Sequence, residues 1–369
     1  MTDTLNISSA FKDKRVLVTG HTGFKGSWLS LWLTNLGARV QGYSIDIPTQ
    51  PSNFEVLGLT DRMAHRVGDV RDLGQLEDIF ESFQPEVVFH LAAQALTRLS
   101  YDIPQETFHT NMLGTVNVLE CIRNCDSLRA AVMVTSDKCY HNHEWVWGYR
   151  ESDTLGGKDC YSASKACAEI ATRAYMESFF DPSETPRVAT ARAGNVIGGG
   201  DWAADRIVPD CVRAFSTGEA LEIRSPSATR PWQHVLEPLS GYLSLAGALL
   251  SESDRAVNES FNFGPSHEAE KSVSQLIGEF TQTWRGGHVE MAPDNADGKA
   301  EAMLLRLNCD KAESVLGWHK VLSFAQTVEM TASWYKAHYD GGADMCELSS
   351  GQIADYTKQA AEASLPWAR

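Results

Sequence analysis

The sequence predicts an α/β fold, a doubly wound parallel sheet with a smaller α+β lobe, and three observations lead to this prediction. Short apolar runs alternate with longer helix-period segments through the first half of the chain, which is typical of strand–helix–strand units in a parallel sheet. A turn rich in glycine follows the first apolar run, and the alternation ends near residue 192. We therefore expect a sheet covered by helices to come first and a more irregular lobe to follow it.

Each strand of the predicted sheet is a short apolar run bounded by turn residues. The predicted strands cover 15–19, 39–43, 65–67, 86–91, 130–135 and 187–192. Apolar side chains recur at steps of three and four residues over 23–36, 73–83, 105–124 and 162–180. This spacing places them on one face of a helix, so these segments are predicted as the helices that cover the sheet.

The length of the chain predicts two lobes. Its 369 residues exceed the roughly 250 to 300 at which a single hydrophobic core stops growing. We assign 1–192 to the sheet domain and 193–369 to the smaller, substrate-binding lobe with a C-terminal extension. The stretch 235–250 is expected to return to the first domain as a helix. A ligand is expected in the cleft between the two lobes.

Charge and composition exclude several classes of partner. The chain has 32 basic and 48 acidic side chains, a formal net charge of −16, so neither nucleic acid nor an anionic membrane is an expected partner. The N-terminal 15 residues lack the apolar segment of a secretory signal, and no apolar stretch reaches the roughly 20 residues of a membrane span. Eight cysteines without a Cys-x-x-Cys motif predict free thiols and no metal site. A cytoplasmic protein is expected.

The strongest local signal is a glycine triplet directly after the first predicted strand. Gly20, Gly23 and Gly26 open a predicted helix, with Thr22 and Phe24 in the same turn. Glycines at such a turn let backbone N–H groups approach a pyrophosphate, and the helix N-terminus favours the anion. The spacing is G-x-x-G-x-x-G rather than G-x-G-x-x-G, and it predicts a Rossmann-type dinucleotide site.

Further cofactor contacts are expected where the other strands end. Asp46 lies about 20 residues after the last glycine, the spacing of the acidic residue that binds the adenosine ribose. A carboxylate there repels a 2′-phosphate, so NAD is expected rather than NADP. The remaining candidates are residues at the ends of the third and fourth strands, where a dinucleotide crosses the sheet: Asp69, Val70, Leu91, Ala92 and Ala93.

Tyr161 and Lys165 are predicted to be a catalytic pair. They are four residues apart in a predicted helix, so both side chains lie on one face. A nearby ammonium favours the phenolate, which lowers the pKa of the tyrosine and makes it a usable base. A tyrosine and a lysine at this spacing occur often by chance, but here they follow a dinucleotide motif.

The glycine turn and the Tyr161-x-x-x-Lys165 motif resemble the extended short-chain dehydrogenase/reductase superfamily, whose members mostly act on nucleotide sugars. The resemblance extends over roughly 12–340 and includes His90-Leu91-Ala92-Ala93. It implies that Ser136 supplies a hydroxyl to the sugar O4. It also implies dimerisation through the helices 105–124 and 162–180.

The pair Asp137-Lys138 resembles the position at which the 4,6-dehydratases of this superfamily have Asp-Glu. A dehydratase needs an acid and a base beside the sugar, because it expels hydroxide from C6 and removes the C5 proton. The sequence leaves open which of the two is the acid. Lysine at this position, together with four further segments, resembles the branch that acts on CDP-glucose, and certain UDP-N-acetylglucosamine dehydratases also have it.

Residues of the smaller lobe are the candidates for substrate binding. An acidic chain must concentrate arginines where it binds a diphosphate, because their planar donors match phosphate oxygens. The candidates are Arg192, Asn195, Trp202, Arg206 and Arg230. Three alternatives remain: a UDP-sugar dehydratase, a nucleotide-sugar 4-epimerase, and a dinucleotide-sensing protein without catalysis. The last would be expected to lack Tyr161 or Lys165.

Overall fold

The computed structural model describes residues 6–223, 225–251, 256–265, 270–291 and 305–369. Its strands are β1 (Arg15–Thr19), β2 (Arg39–Ser44), β3 (Ala64–Val67), β4 (Val87–His90), β5 (Ala130–Val134), β6 (Arg187–Ala193), β7 (Val196–Ile197), β8 (Ala220–Ile223), β9 (Thr229–Pro231), β10 (Gln233–His234), β11 (Glu259–Phe263), β12 (Glu270–Ser272) and β13 (His288–Met291). A seven-stranded sheet has the order β11-β6-β5-β4-β1-β2-β3, and every neighbouring pair in it is parallel.

This sheet confirms the predicted fold class, and each of the six predicted strands lies within one residue of an observed one. Every residue of β4 and β5 is buried, as expected for parallel strands covered on both faces. The seventh strand was not predicted from the sequence. It is β11, which comes from the later half of the chain and pairs with β6.

The helices, in chain order, are α1 (Ile7–Ala10), α2 (Phe24–Asn35), α3 (Asn53–Val56), α4 (Leu73–Phe83), α5 (Leu99–Asp102), α6 (Pro104–Phe108), α7 (Gly114–Arg123), α8 (Cys160–Phe179), α9 (Ile207–Thr217), α10 (Leu236–Leu250), α11 (Val273–Trp284), α12 (Asp310–Leu316), α13 (Phe324–Asp340) and α14 (Met345–Glu362). A π-helical turn, His109–Leu113, joins α6 to α7. The predicted helix 105–124 is therefore three consecutive helical pieces.

Two hydrophobic cores lie on opposite faces of the sheet. One joins inward side chains of β1 and β5 to α2, α10, α13 and α14. The other joins the alternate side chains of the same strands to α4, α7 and α8. This division follows from the period-2 alternation of strand side chains, and it fixes α2, α8 and α10 relative to the carboxyl ends of the strands.

The later part of the chain adds short sheets and packed helices. The pairs β7–β10 and β8–β13 are parallel, and β9–β12 is antiparallel. In α14, the buried Tyr356 hydroxyl donates to the Glu237 carboxylate of α10 at 2.8 Å. No described helix is both long and apolar enough to cross a membrane.

Candidate active site

The glycine turn brings the backbone of β1, β4 and α2 into direct contact. Gly20 has a φ of +75°, and a Cβ there would lie 2.7 Å from the Ala92 nitrogen. A Cβ on Gly26 would lie 2.1 Å from the Gly20 carbonyl oxygen. Gly23 precedes α2 and supplies no side-chain cap to its first turn. The free N–H groups of that turn, together with the helix dipole, form a site for an anion such as a pyrophosphate.

The ends of β2 and β3 lie beside this turn. The Thr22 hydroxyl donates to the Asp46 carbonyl oxygen at 2.6 Å, and the Asp46 side chain is exposed. Asp69 is bound by Arg71, whose nitrogens lie 2.7 to 3.0 Å from its carboxylate oxygens. Burial raises the pKa of Asp69, but the hydrogen bonds from Arg71 outweigh burial, so the pKa lies below its ordinary value. Asp46 has the more accessible carboxylate.

The end of β4 is fixed by the side chain of Thr19. The Ala92 N–H donates to the Thr19 hydroxyl at 3.2 Å, and the Leu91 N–H donates to the Thr19 carbonyl oxygen. Leu91, Ala92 and Ala93 are partly buried. Val70, after β3, packs against Gly114, where a Cβ would lie 2.7 Å from its side chain. Of these residues, Ala92 and Ala93 have small side chains, and they follow β4 at the edge of the sheet where the glycine turn lies.

A cluster of polar side chains follows β5. Ser136 precedes a 3₁₀ turn, Asp137–Cys139, and its hydroxyl donates to Asp137 Oδ1 at 3.0 Å. Tyr161, in the first turn of α8, is buried and interacts electrostatically with Asp137. The structure therefore brings three predicted catalytic residues together: Ser136, Asp137 and Tyr161.

Burial sets the pKa of the Tyr161 phenol. It raises this pKa to about 12, and Ser136 and Arg206 oppose it. From the sequence, the Lys165 ammonium was expected to lower the pKa of Tyr161. Burial lowers the pKa of Lys165 to about 8, and the carboxylate that raises it is Glu169, one helical turn further along α8. Lys165 thus faces Glu169 as well as the site.

The pair Asp137-Lys138 divides into a buried acid and a more exposed amine. Asp137 is 4% exposed. Burial raises its pKa, although Lys138, Ser136 and Lys25 act in the other direction. Lys138 is partly exposed, and its ammonium makes no hydrogen bond or ion pair with a described residue. A carboxyl with a raised pKa is suited to donate a proton.

Lys25 is a site residue that the sequence analysis missed. It lies between Phe24 and Gly26 in the first turn of α2, and it interacts electrostatically with Asp137, Lys165 and Arg206. Burial lowers its pKa to about 8. A signal was present in the sequence, because a lysine is unfavourable next to the positive end of a helix dipole. Such a lysine indicates a local need for positive charge.

Two of the five candidate substrate-binding residues lie at this cluster. Arg206 precedes α9 and pairs with Asp201 at 2.8 Å, and it acts on both Tyr161 and Lys25. Asn195 follows Gly194, where a Cβ would lie 3.0 Å from Asp137 Oδ2. The Asn195 side-chain amide makes no hydrogen bond with a described residue, so its donors and acceptor remain available.

The structure does not support a ligand-binding role for Arg192 or Trp202. Arg192 is 3% exposed; its guanidinium pairs with Glu169 at 2.7 Å and donates to the Tyr140 hydroxyl at 2.7 Å. Trp202 is buried against α13, and its indole N–H donates to the Tyr339 hydroxyl at 3.2 Å. Both side chains are used in packing. Arg230 lies on β9 and donates to the Thr229 carbonyl oxygen.

The fold and the site define an enzyme of the short-chain dehydrogenase/reductase class: a parallel sheet with a glycine turn, and a tyrosine and a lysine on one helix face beside it. Residues 17–331 match the family model of GDP-mannose 4,6 dehydratase. The chain belongs to this family of nucleotide-sugar dehydratases.

Individual relatives agree with this assignment. The chain is 48% identical over 350 residues to the CDP-glucose 4,6-dehydratase of Salmonella typhimurium, a match that covers 94% of this chain and 97% of that protein. Among solved structures, an epimerase from Methanothermobacter thermautotrophicus has a TM-score of 0.75 at 24% identity, covering 92% of this chain and 97% of that one. A dTDP-glucose 4,6-dehydratase from Bacillus anthracis, in complex with NAD, has a TM-score of 0.72 at 22% identity, covering 88% and 96%.

Proposed function

We propose that this protein converts CDP-D-glucose to CDP-4-keto-6-deoxy-D-glucose and water, using NAD that it retains through turnover. The buried Asp137 carboxyl beside Tyr161, with the partly exposed Lys138 amine next to it, carries this proposal. The relative from Salmonella typhimurium, 48% identical over 94% of this chain, supports the choice of substrate.

The residues around the glycine turn fit a dinucleotide. Gly20 and Gly26 allow close backbone packing within the turn and against the end of β4, and the uncapped first turn of α2 offers its N–H groups to a pyrophosphate. We assign the ribose hydroxyls to the exposed carboxylate of Asp46, whose backbone carbonyl accepts a hydrogen bond from Thr22. NAD held by these residues would supply a hydride acceptor for C4 of the hexose and a hydride donor for C6.

Tyr161 and Ser136 act on the O4 hydroxyl. Tyr161, as a phenolate, takes the O4 proton while the C4 hydride leaves, and a ketone forms at C4. The Ser136 hydroxyl and Arg206 favour this phenolate against the effect of burial. The new ketone makes the neighbouring C5–H acidic.

Asp137 and Lys138 then carry out the elimination. The amine nitrogen of Lys138 removes the C5 proton. Asp137, as a carboxylic acid, gives its proton to the C6 hydroxyl, so the C6–O bond breaks, water leaves and a C5=C6 double bond forms. The burial that raises the pKa of Asp137 favours this assignment of the acid. Lys138 returns its proton to C5 as C6 receives the hydride, and a proton passed from Tyr161 to Asp137 resets the enzyme.

A panel of sugar nucleotides tests the proposed function. The purified protein, loaded with NAD, is given CDP-, UDP-, GDP- and dTDP-glucose separately, and the 4-keto product is measured. We expect product from CDP-glucose at the highest kcat/KM. Preferred turnover of UDP-glucose indicates a UDP-sugar dehydratase, a C4 epimer without 4-keto product indicates an epimerase, and binding without turnover indicates a sensor.

We propose a homodimer in the cytoplasm as the working form. Three large apolar side chains remain exposed on the π-helical turn and α8: Leu113 at 41%, Ile170 at 56% and Phe179 at 53%. A second copy of the same helices would cover them. All eight cysteines are free thiols, which suits a reducing compartment. Sedimentation of the purified protein measures the assembly.

A further inference from the structure

Tyr242 has a buried hydroxyl without a hydrogen-bond partner. Its side chain is 0% exposed, and its hydroxyl makes no hydrogen bond with a described residue. An unpaired buried hydroxyl is unfavourable, and phenylalanine would fill the same space without that cost. Tyr356 is also buried, but its hydroxyl is paired, because it makes hydrogen bonds with both Ser240 and Glu237. The Tyr242 hydroxyl therefore needs an explanation outside packing.

The position of α10 directs this phenol toward the active site. The helix packs on β5 and β6, the strands that lead to Asp137 and Gly194. It begins near the glycine turn, because the Val235 side chain and the ring of Phe24, a residue of that turn, both lie against Gly198. Long side chains on a helix lean toward its N-terminus, which here is the carboxyl edge of the sheet.

The environment of the Tyr242 ring is otherwise apolar. The ring packs edge-to-face on Phe263 of β11, with centroids 5.8 Å apart. The ionisable groups that act on its phenol are Tyr161 and Asp137. The charged or titratable groups that face Asp137 come from α2, its own turn, α8 and α10, and they are Lys25, Lys138, Cys139, Tyr161 and Tyr242.

We propose that Tyr242 is a positioning residue whose phenol donates a hydrogen bond to the Asp137 carboxylate once Asp137 has given its proton to the departing C6 hydroxyl. The phenol keeps its own proton throughout. The bond forms as negative charge develops on the Asp137 carboxyl. This inference rests on the proposed function and adds a residue to its elimination step.

The test is Tyr242→Phe in the NAD-loaded full-length enzyme. We expect kcat to fall about 10- to 100-fold, the range for a lost hydrogen bond to a charged group. The variant should oxidise C4 normally and accumulate transient NADH. Because its Asp137 carboxylate is less stabilised, the alkaline limb of the kcat profile should move to higher pH. The melting temperature should stay the same or rise.

Two further variants make the result decisive. Tyr356→Phe is the matched control and should lower the melting temperature with kcat unchanged, because the hydrogen bonds that it loses join α14 to α10 and involve no catalytic residue. In an Asp137→Asn background, Tyr242→Phe should have no additional effect on the elimination. The inference is overturned if Tyr242→Phe has the kcat and pH profile of the wild type. It is also overturned if the fold-losses in elimination rate of Tyr242→Phe and Asp137→Asn multiply in the double variant.

The wild-type enzyme separates this inference from the proposed function. If it forms no 4-keto product from any of the four sugar nucleotides, the proposed function fails. If it forms the product and Tyr242→Phe behaves like the wild type, only the role of Tyr242 fails.

Discussion

Two buried polar clusters lie close together in this protein and differ in how completely their members are paired. In the first, Glu169 and Arg192 are 2% and 3% exposed. Their charges meet at 2.7 Å, and further hydrogen bonds join them to Thr135, Tyr140, Thr190 and Ser260. In the second cluster, Asp137 has one side-chain hydrogen bond, and the ends of Lys25 and Tyr242 have none to a described residue.

The difference separates a structural cluster from a catalytic one. Burial alone would raise the pKa of Glu169, but Arg192 and the threonine hydroxyls outweigh it, so Glu169 stays ionised. Burial dominates at Asp137, whose pKa lies above its ordinary value. Glu169 and Arg192 neutralise each other's charge, and although the buried Arg192 Nε lacks a hydrogen-bond partner among the described residues, the pair offers no free charge to a substrate. The unpaired groups bear an energetic cost that binding and catalysis can relieve.

Asp137→Asn breaks the catalytic cluster most severely. We expect the elimination to slow about 10²- to 10⁴-fold, because an amide cannot replace a general acid. Oxidation at C4 should persist, so NADH should accumulate and be visible by its absorbance during a single turnover. As a control, Tyr161→Phe should suppress NADH formation as well. Normal product formation by Asp137→Asn would remove Asp137 from the mechanism.

Arg192→Met breaks the structural cluster. We expect a loss of about 3–5 kcal/mol in the free energy of unfolding, because Glu169 is left as an uncompensated buried charge. The measurement is equilibrium denaturation. Adding Glu169→Gln should restore part of the stability, and the folded fraction of Arg192→Met should keep its KM for the sugar nucleotide. A large rise in KM without a loss of stability would indicate that Arg192 binds the substrate.

Lys25→Met has the smallest expected effect. It removes an unpaired charge from the catalytic cluster, so activity should fall while stability rises. We expect kcat to fall about 10-fold, since the loss of a positive charge raises the pKa of Asp137 further. Stability should rise at neutral pH, because burial disfavours the Lys25 ammonium.

The sign of the pH dependence checks this account of Lys25. Its pKa is about 8 in the folded protein, against 10.5 ordinarily, so the unfolded chain binds the proton more tightly. Wild-type stability should therefore rise relative to Lys25→Met as the pH increases from about 8 to 10.5. Thermal melts of both proteins across this range measure the difference. A constant difference would contradict the account.

Local spacing was enough to predict part of this site. Tyr161 and Lys165 share a helix face because they are four residues apart, and Asp137 follows a strand whose apolar run is plain in the sequence. The partners that the structure gives Arg192 and Trp202 are Glu169 and Tyr339, and sequence spacing could not predict them because they are distant along the chain. Tyr242 lies in an apolar helix pattern that gives no signal at all. Packing between β5 and α10 decides its neighbours.

The contact between Tyr356 and Glu237 has a consequence for how the enzyme is made. Glu237 also accepts the backbone N–H groups of Val321 and Leu322, so it ties the start of α10 to segments translated much later. A nascent chain that has emerged only as far as α13 contains every catalytic side chain but lacks the phenol of α14 that bonds Glu237. The contact that stabilises the start of α10 therefore forms only after α14 has been translated, later than the catalytic side chains.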